Sequence, residues 1–235
     1  MMRKSSCLLC GSPLVHLAEA RTHTCELCRG HFVSDVVCKQ GHYICEACHS
    51  VPADELIQKI CLNSSSTQPV ELAVSLLNIL SVTMQGPVNQ YLVPAVLLTA
   101  YYNQLGEVEE KARKLEMARQ RTAHVIGDFC GFYGVCVTGI GTGIFISLIG
   151  EASPAAEGAW GLANQMTNES LRRIEALGDL RCCKRDTLMA IETAKIFVQH
   201  NFQVKLDVPD TVTCEFSFYN QYCLRENCPF GPEEK

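Results

Sequence analysis

The stretch DFCGFYGVCVTGIGTGIFISLIGE, from Asp128 to Glu151, holds 22 uncharged residues between two acids and contains six glycines and two cysteines. Its length is sufficient for a membrane span, which needs about 20 mostly apolar residues. However, the glycines, threonines and serine dilute its hydrophobicity, and neither end carries the combined aromatic and basic anchors of a span. We therefore do not expect this stretch to cross a membrane.

The glycines of this stretch do not form a nucleotide-binding loop either. The motif Gly139-x-Gly141-x-Gly143 lacks the third glycine three residues on, the preceding strand and the later acid of a dinucleotide fingerprint, and no Lys-Ser/Thr pair follows it. A buried helix accounts for the composition, with Cys130 and Cys136 at its irregular beginning. The glycines expected to allow close backbone approach are Gly127, Gly131, Gly134, Gly139 and Gly143.

The rest of the chain predicts a mostly α protein that is large enough to bury a core. Of its 235 residues, 47% are hydrophobic and 19% are charged. Helical patterns or helix-start signals mark residues 69–80, 91–106, 107–124, 153–178 and 187–200, whereas FQVKLDV alternates like a short strand. The segment 107–124 places Glu four residues before Lys or Arg, which predicts a solvated helix.

The polar run NSSSTQP marks the predicted boundary between two domains. Residues 1–62 form a small zinc-stapled module that is rich in cysteine. Residues 63–235 form a helical domain that ends in a cysteine-pinned C-terminal tail.

Charge and cysteine usage narrow the class of protein. A net charge of −5 with no basic patch makes a nucleic-acid partner unexpected. The start, MMRKSSCLLCGSP, has no apolar run before its first thiols and so does not read as a secretory signal. We expect a cytoplasmic location, where 15 reduced cysteines indicate metal binding or redox chemistry more than a disulfide framework.

The first fifty residues have the spacing of a double metal site. From Cys25 the pattern is C-x2-C-x9-C-x3-H-x2-C-x2-C, and a further CxxC precedes it by fourteen residues. Two tetrahedral zinc ions need eight ligands of this kind. A sequential grouping of the ligands and a cross-braced, interleaved grouping both stay open. The eight predicted zinc ligands are Cys7, Cys10, Cys25, Cys28, Cys38, His42, Cys45 and Cys48.

A second group of thiols lies in the helical domain and is predicted to converge on one buried site. A four-iron cluster would use four of them and leave a pair for redox chemistry or thiol exchange. Cations and a predicted helix start surround the pair Cys182-Cys183, so we expect at least one of the two to be a thiolate. The predicted cofactor-binding residues are Cys130, Cys136, Cys182, Cys183, Cys214, Cys223 and Cys228. The candidate acids and bases beside them are His124, Asp128 and Glu215.

Three motifs together carry a family resemblance over roughly residues 70–230: GDFCGFYGVCVTGIGTGIFISLI, RCCKRDTLMAI and CEFS..N..C....CPF. They resemble the uncharacterised cysteine-rich domain-of-unknown-function family 5714, which is typical of anaerobic microbes and is sometimes fused to methyltransferases. The glycine helix is more distantly similar to the redox-active C-GCAxxG-C-C proteins, although it reads GVCVTGIG where those have Cys-Gly-Ala. The resemblance implies a metalloprotein of anaerobic metabolism and brings no established reaction.

The sequence therefore predicts a cytosolic metal-binding protein with an N-terminal dizinc module and a C-terminal site for a 4Fe-4S cluster or redox-active thiols, acting in anaerobic redox or sulfur metabolism. The alternative is a zinc-finger adaptor or metal-delivery protein that binds a partner, such as a methyltransferase or redox enzyme, without catalysis. Packing of the glycine helix across a homodimer stays open beside packing within one chain. The sequence names no substrate.

Overall fold

The computed structural model of the chain is mostly helical, with one β-hairpin near its N-terminal end. It describes residues 7, 12–49, 52–79, 88–123, 129–152, 158–177, 181–214, 216–217, 220 and 223–231. The predicted mostly α fold with a cysteine-rich N-terminal module is therefore confirmed. The elements are β1 (Leu14–Thr24), β2 (His31–Cys38), α1 (Glu46–His49), α2 (Ala53–Asn63), α3 (Pro69–Ile79), α4 (Asn89–Leu105), α5 (Val108–Thr122), α6 (Phe129–Tyr133), α7 (Val137–Ile149), α8 (Ala159–Glu175), α9 (Cys183–Phe202) and a 3-10 turn at Arg225–Asn227.

The N-terminal module is built on the antiparallel pair of β1 and β2. Leu14 pairs with Cys38, Thr24 pairs with His31, and the register is irregular between His16 and Arg21. Most side chains of the hairpin are exposed or half-buried rather than alternating between two faces. Since a period-2 pattern is the main signal of a strand, the sequence did not predict this hairpin.

A small apolar cluster lies beside the hairpin turn and reaches into α2. Its members are Cys25, Leu27, Ile44, Cys45, Cys48 and Leu56. Leu56 is followed in α2 by Ile57 and Cys61, which belong to the much larger core of the helical domain. Because α2 contacts both cores, it joins the module to the helices. The domain boundary at residues 62 and 63 stays a prediction.

Helix α4 is the centre of the helical domain. Every residue from Asn89 to Tyr102 is buried, and the helix ends at Gly106, whose φ of 76° suits a left-handed cap. Helices α2, α3, α5, α7 and α9 pack against it, and α8 packs on α7 and α9. The sequence-based prediction of a central core helix that ends at Gly106 is confirmed.

Helix α7 contains the apolar part of the stretch that begins at Asp128. It is 13 residues long and starts directly after Cys136. Among the helices described here, none is long and apolar enough to cross a membrane.

The glycines of α7 set how closely its neighbours pack. An added Cβ at Gly139 would stand 2.6 Å from Cδ2 of Leu171 in α8, and one at Gly141 would stand 3.0 Å from Cδ of Pro94 in α4. At Gly143 it would collide with Thr167 of α8. The helix therefore packs closely on α4 and α8 at glycine positions, where a larger residue would force its neighbours to shift. Close approach was predicted for two of these positions and is confirmed there.

Other glycines of the same stretch behave differently. An added Cβ would meet nothing within 4 Å at Gly131 or Gly134, so the predicted close approach is wrong at these two positions. Gly127 lies outside the described residues.

Helix α5 is less solvated than its mixed charges predict. Lys111 and Lys114 are buried, and neither carries the expected helical ion pair. The ammonium of Lys111 donates to the Ser64 carbonyl at 2.8 Å, and that of Lys114 donates to the Leu148 carbonyl at 2.7 Å. The predicted solvated, salt-bridged face is present on α5, where exposed Arg113 pairs with Glu110 at 2.7 Å. Lys111 and Lys114 do not belong to this face, because they reach across to neighbouring segments.

The predicted strand FQVKLDV is also wrong. Phe202 closes α9, and residues 203–209 form neither strand nor helix. Leu206 and Val208 are buried against the helical core, and the Val208 carbonyl accepts a hydrogen bond from the Lys195 ammonium at 2.8 Å. The alternation of this segment thus reflects packing on helices rather than pairing in a sheet.

The last two predicted helices are present with different limits. The predicted start at Ser153 and Pro154 lies outside the described residues, and α8 begins at Ala159. In α9, Ile196 is 65% exposed, although its position was assigned to the apolar face. The remaining positions assigned to that face, Leu188, Ile191, Phe197 and Val198, are buried. Leu80, expected on the buried face of α3, lies outside the described residues.

Candidate metal centres

Four cysteines of the N-terminal module form a tetrad that could hold a metal ion. The sulfur atoms of Cys25, Cys28, Cys45 and Cys48 all lie within 4.8 Å of one another. The Cys28 and Cys45 sulfurs are 3.9 Å apart. Two thiolates bound to one tetrahedral ion at about 2.3 Å stand ~3.8 Å apart, so this spacing suits a single ion.

Backbone hydrogen bonds prepare this tetrad for a cation. Burial raises the pKa of Cys25, but backbone donors of Cys28, Cys45 and Leu27 outweigh it and lower the pKa to about 7. The Cys45 amide donates to the Cys25 sulfur at 3.4 Å. Burial, together with the neighbouring sulfurs of Cys45, Cys25 and Cys28, raises the pKa of Cys48. A bound cation would favour the thiolate at all four positions.

A second group in the module joins Cys7 to Cys38 and His42. Their ligand atoms also lie within 4.8 Å of one another, and Nδ1 of His42 is 3.9 Å from the Cys7 sulfur. The Gln40 amide donates to the Cys38 sulfur at 3.3 Å. These three residues could hold a metal ion as well. Cys10, the predicted partner of Cys7, lies outside the described residues.

Along the chain the ligands alternate between the two groups: Cys7 is followed by a CxxC pair of the tetrad, then by Cys38 and His42, and then by the second CxxC pair of the tetrad. This is the interleaved order. Hydrogen bonds explain the grouping: the Lys39 amide donates to the Pro13 carbonyl at 3.0 Å, and the Glu26 amide donates to the Tyr43 carbonyl at 2.9 Å. The first contact brings the segment after Cys7 beside the turn from Cys38 to His42. The second brings the hairpin turn beside the segment that leads to Cys45.

A pocket in the helical domain is lined by four further cysteines. It encloses about 380 Å³, including its solvent-open mouth. Among the described residues, groups with ligand atoms within 4.8 Å of one another occur only in the N-terminal module, so these four sulfurs are not spaced for one ion. They come from the start of α9 and from the C-terminal tail. The cysteines are Cys182, Cys214, Cys223 and Cys228.

Hydrogen-bond donors point at the sulfurs of this pocket. The Asn220 side-chain amide donates to the Cys182 sulfur at 3.4 Å. The backbone amides of Phe216 and Arg225 donate to the sulfurs of Cys214 and Cys223 at 3.4 and 3.3 Å. Donors of this kind stabilise sulfur that carries negative charge.

The tail is closed upon itself around the pocket. The Cys214 amide donates to the Phe230 carbonyl at 2.7 Å, and the Cys228 amide donates to the Arg225 carbonyl at 2.9 Å. Phe216 and Phe230 are buried in the helical core, which anchors both limbs of the tail.

Two buried cations adjoin the pocket. Arg185 is one of its lining residues, and Lys184 is 1% exposed. Burial lowers the pKa of Lys184, while the nearby sulfurs of Cys183, Cys182 and Cys214 act to raise it. Asp186 is the carboxylate paired with Arg185, at 3.1 Å. Because Asp186 already pairs with Arg185, negative charge in the pocket would chiefly compensate the buried Lys184.

The expectation of a thiolate is not supported at Cys182. Burial raises its pKa, and it outweighs the lowering effect of backbone hydrogen bonds at the start of α9 and of the Arg185 charge. Burial likewise raises the pKa of Cys214. Without a cation in the pocket, both sulfurs are thiols at neutral pH. The cations and the helix start are visible in the sequence, whereas the burial of Cys182 is not.

The pocket and its tail lie within a stretch that matches a known family. A family model described as a family of unknown function, DUF5714, matches residues 57–231. The chain belongs to this family. No curated protein and no solved structure matches the chain. The DUF5714 match includes all seven thiols assigned to the second site, whereas the metal-ion groups of the N-terminal module precede it.

Within the DUF5714 region the structure divides these seven thiols into two sets. Four line the pocket, and Cys130, Cys136 and Cys183 do not. The second set lies near Arg181 and Asp186. Cys61, the other thiol of the DUF5714 region, is fully buried in the main core.

Sequence reasoning missed several polar residues of the pocket region. Asn220 stands three residues before Cys223 in the tail motif, and that fixed spacing is a signal that could have marked it. Nothing in the sequence shows that Lys184 is buried or that Asp186 contacts Cys136. His124, Asp128 and Glu215, the candidate acids and bases, lie outside the described residues.

Proposed function

We propose that this DUF5714 protein is an iron–sulfur protein whose cluster is held by Cys182, Cys214, Cys223 and Cys228. The observation that carries the proposal is the convergence of these four sulfurs on one pocket beside two buried cations. Four cysteine thiolates are the usual ligand set of a 4Fe-4S cluster. When bound through four cysteines, such a cluster supplies one-electron transfer.

The spacing of the pocket sulfurs favours a cluster over a single ion. A four-iron cluster is larger than one ion, so its ligands stand further apart than the sulfurs of the N-terminal tetrad. Its four thiolates leave the whole group negatively charged, which suits the buried Lys184 and Arg185. Hydrogen bonds from Asn220 and from the tail backbone would then stabilise the bound sulfurs.

The N-terminal module fits two structural zinc ions. One would be held by the cysteine tetrad, and the other by Cys7, Cys38 and His42 together with Cys10. The same backbone closure supports Cys10 as the missing ligand: the Cys7 amide donates to the carbonyl five residues on, as the Cys25 amide does in the hairpin turn. Four protein ligands leave no open position for chemistry, so this module stabilises the fold.

The deciding experiment is metal and acid-labile sulfide analysis of protein purified without oxygen. We expect about two zinc and about three to four iron per chain, with matching sulfide. The variant Cys223→Ser should lose most of the iron and sulfide and keep the zinc. Cys61→Ser, which alters a buried thiol that belongs to neither ligand set, is the matched control and should keep all three.

The alternative of an adaptor or metal-delivery protein makes a different prediction for the same measurement. Two zinc per chain without iron or sulfide, after anaerobic purification and reconstitution with iron and sulfide, would refute the cluster. The N-terminal hairpin, whose Val33 is 72% exposed, would then be the first surface to test for a protein partner.

A further inference from the structure

The thiols that do not line the pocket form a site of their own around the start of α7. Cys130 lies in α6, and Cys136 is the residue that precedes α7. The Val137 amide donates to the Cys130 sulfur at 3.4 Å, so this sulfur lies against the peptide bond that follows Cys136. The two cysteines are therefore neighbours in space as well as in sequence.

Cys136 also contacts a buried acid. Its sulfur lies 3.9 Å from Oδ2 of Asp186, and it is the donor in this contact. The Asp186 side chain is only 4% exposed, and its other oxygen, Oδ1, is paired with Nε of Arg185 at 3.1 Å. The carboxylate is thus held in a fixed orientation with one oxygen directed at the thiol. A fixed carboxylate at this position can accept the thiol proton.

The two sulfurs differ in their electrostatic surroundings. Burial and the Asp186 charge raise the pKa of Cys136 to about 11, so it is a thiol at rest. The Cys130 sulfur instead accepts a hydrogen bond from the Val137 amide at the first residue of α7.

The site is reachable from solvent. Cys130 and Cys136 are half-buried, and residues 131–134 between them are exposed, with Phe132 exposed by 78% and Tyr133 by 62%. A disulfide in a ligand could approach this edge, whereas Cys183 is buried.

We propose that Cys130 and Cys136 carry out thiol–disulfide exchange with an external disulfide, and that Asp186 serves as proton acceptor for Cys136. This activity goes beyond cluster binding and does not depend on it. The ligand is a disulfide, whether it belongs to a small molecule or to a protein. Asp186 touches the reacting sulfur and is therefore a catalytic residue in this proposal.

The reaction balances with the disulfide as oxidant. Cys136 gives its proton to Asp186 and its sulfur attacks one sulfur of the substrate, so that the substrate disulfide breaks and the first thiolate leaves with the proton from Asp186. Cys130 then attacks the Cys136 sulfur of the mixed disulfide and loses its own proton to the second leaving thiolate. The products are two substrate thiols and a Cys130–Cys136 disulfide.

The charged and titratable groups around Cys136 define the pH dependence to be measured. They are Cys130 of α6, and Arg181, Cys183, Arg185 and Asp186 around the start of α9. Because Asp186 is the group in contact with the Cys136 sulfur, its replacement should change the shape of the pH profile and not only the rate.

The test is single-turnover exchange with the metal-loaded, reduced full-length protein. In one arm the substrate is glutathione disulfide, and in the other it is a disulfide-bonded protein such as insulin. Peptide mapping after exchange should find the Cys130–Cys136 disulfide in at least one arm, and the faster arm identifies the source of the disulfide. The variant Cys130→Ser should trap the mixed disulfide on Cys136.

The variants separate this proposal from a general effect of cysteine content. Cys136→Ser should slow exchange at least tenfold, and Cys61→Ala should leave it unchanged. Asp186→Asn removes the proton acceptor, so it should slow exchange tenfold or more and change the shape of the pH profile. Iron and zinc are measured in each variant, so that loss of a metal is distinguished from loss of exchange.

Two results would overturn the proposal. The first is a mapped disulfide that excludes Cys130 and Cys136 in both arms. The second is an exchange rate in Cys136→Ser within twofold of wild type. Both can be read even if Asp186→Asn does not fold, and neither depends on whether the pocket binds a cluster.

Discussion

The ammonium nitrogen of Lys184 lies 5.0 Å from the centre of the Phe216 ring, in a side chain that is almost fully buried. It also donates to the Leu77 carbonyl at 3.3 Å. Phe216 lines the cysteine pocket, so this cation–π contact fixes a positive charge next to the proposed cluster. A buried charge at this place is costly unless something negative compensates it.

In the cluster-loaded protein, Lys184→Met should therefore make the reduction potential more negative. Reduction adds negative charge to the cluster, and the nearby ammonium stabilises that charge. A loss of about 1 kcal/mol of this attraction corresponds to roughly 40 mV for a one-electron couple. Potentiometric titration followed by electron paramagnetic resonance measures the shift. Lys205→Met, at an exposed lysine, is the control and should leave the potential unchanged; a positive shift in Lys184→Met would contradict the assigned role.

The glycines of the 128–151 stretch provide a paired test of packing. Gly141→Ala should destabilise the protein by about 1–3 kcal/mol, because the new methyl group would stand 3.0 Å from Cδ of Pro94 and 3.2 Å from Cβ of Val93, both in the fixed central helix. Gly131→Ala should be neutral or slightly stabilising, because its methyl group would meet nothing within 4 Å and alanine favours a helix. Chemical denaturation of both variants measures the difference, and equal effects would contradict the close contact of α4 with α7.

Local patterns predicted the helices and most of their apolar faces, but not the burial of charged residues in α5. The cap at Gly106 and the apolar run before it were enough to place α4. Lys111 and Lys114 look like surface residues in the sequence, and their burial depends on carbonyls of Ser64 and Leu148, which are far away along the chain. Long-range partners of this kind have no local signature.

The candidate sites show the same limit. The spacing of the cysteines and of His42 predicted seven residues that the structure brings together in two groups able to hold a metal ion, because both thiols of one CxxC turn reach the same place. It could not decide which pairs share an ion, since that depends on contacts such as Glu26 with Tyr43. In the helical domain, Cys182 and Cys183 are adjacent in sequence, yet only Cys182 lines the pocket. Cys182 precedes α9 in extended backbone and Cys183 is the first residue of the helix, so the two side chains have different surroundings.

Cys61 gives a prediction for alkaline pH. Burial raises its pKa to about 12, although the Thr99 hydroxyl and the Lys111 ammonium partly offset this. The folded protein therefore keeps a proton that the unfolded chain loses near pH 9. This contribution to stability is complete below about pH 9 and is lost as the pH rises toward 12.

Between pH 8 and pH 10, wild type should accordingly lose roughly 1–2 kcal/mol more stability than Cys61→Val. Urea denaturation under reducing conditions at both pH values measures this difference. Because lysines and tyrosines titrate in both proteins, only the difference between their losses of stability reports on Cys61. Parallel losses in wild type and variant would show that Cys61 is accessible to ionisation in the folded state.

The interleaved order of the N-terminal ligands can be tested with cadmium-113 in place of zinc. Both orders predict one site with four sulfurs and one with three sulfurs and His42, so wild type gives two signals under either.

The orders differ for Cys45→Ser. In the interleaved order this variant loses the all-sulfur signal and keeps the signal that is coupled to His42, and its metal content in the module falls from about two ions to about one. In the sequential order Cys45 shares its ion with His42, and the coupled signal would be the one lost. Cys61→Ser should keep both signals, which shows that removal of a thiol by itself does not disturb the module. Survival of the all-sulfur signal in Cys45→Ser would therefore overturn the interleaved grouping.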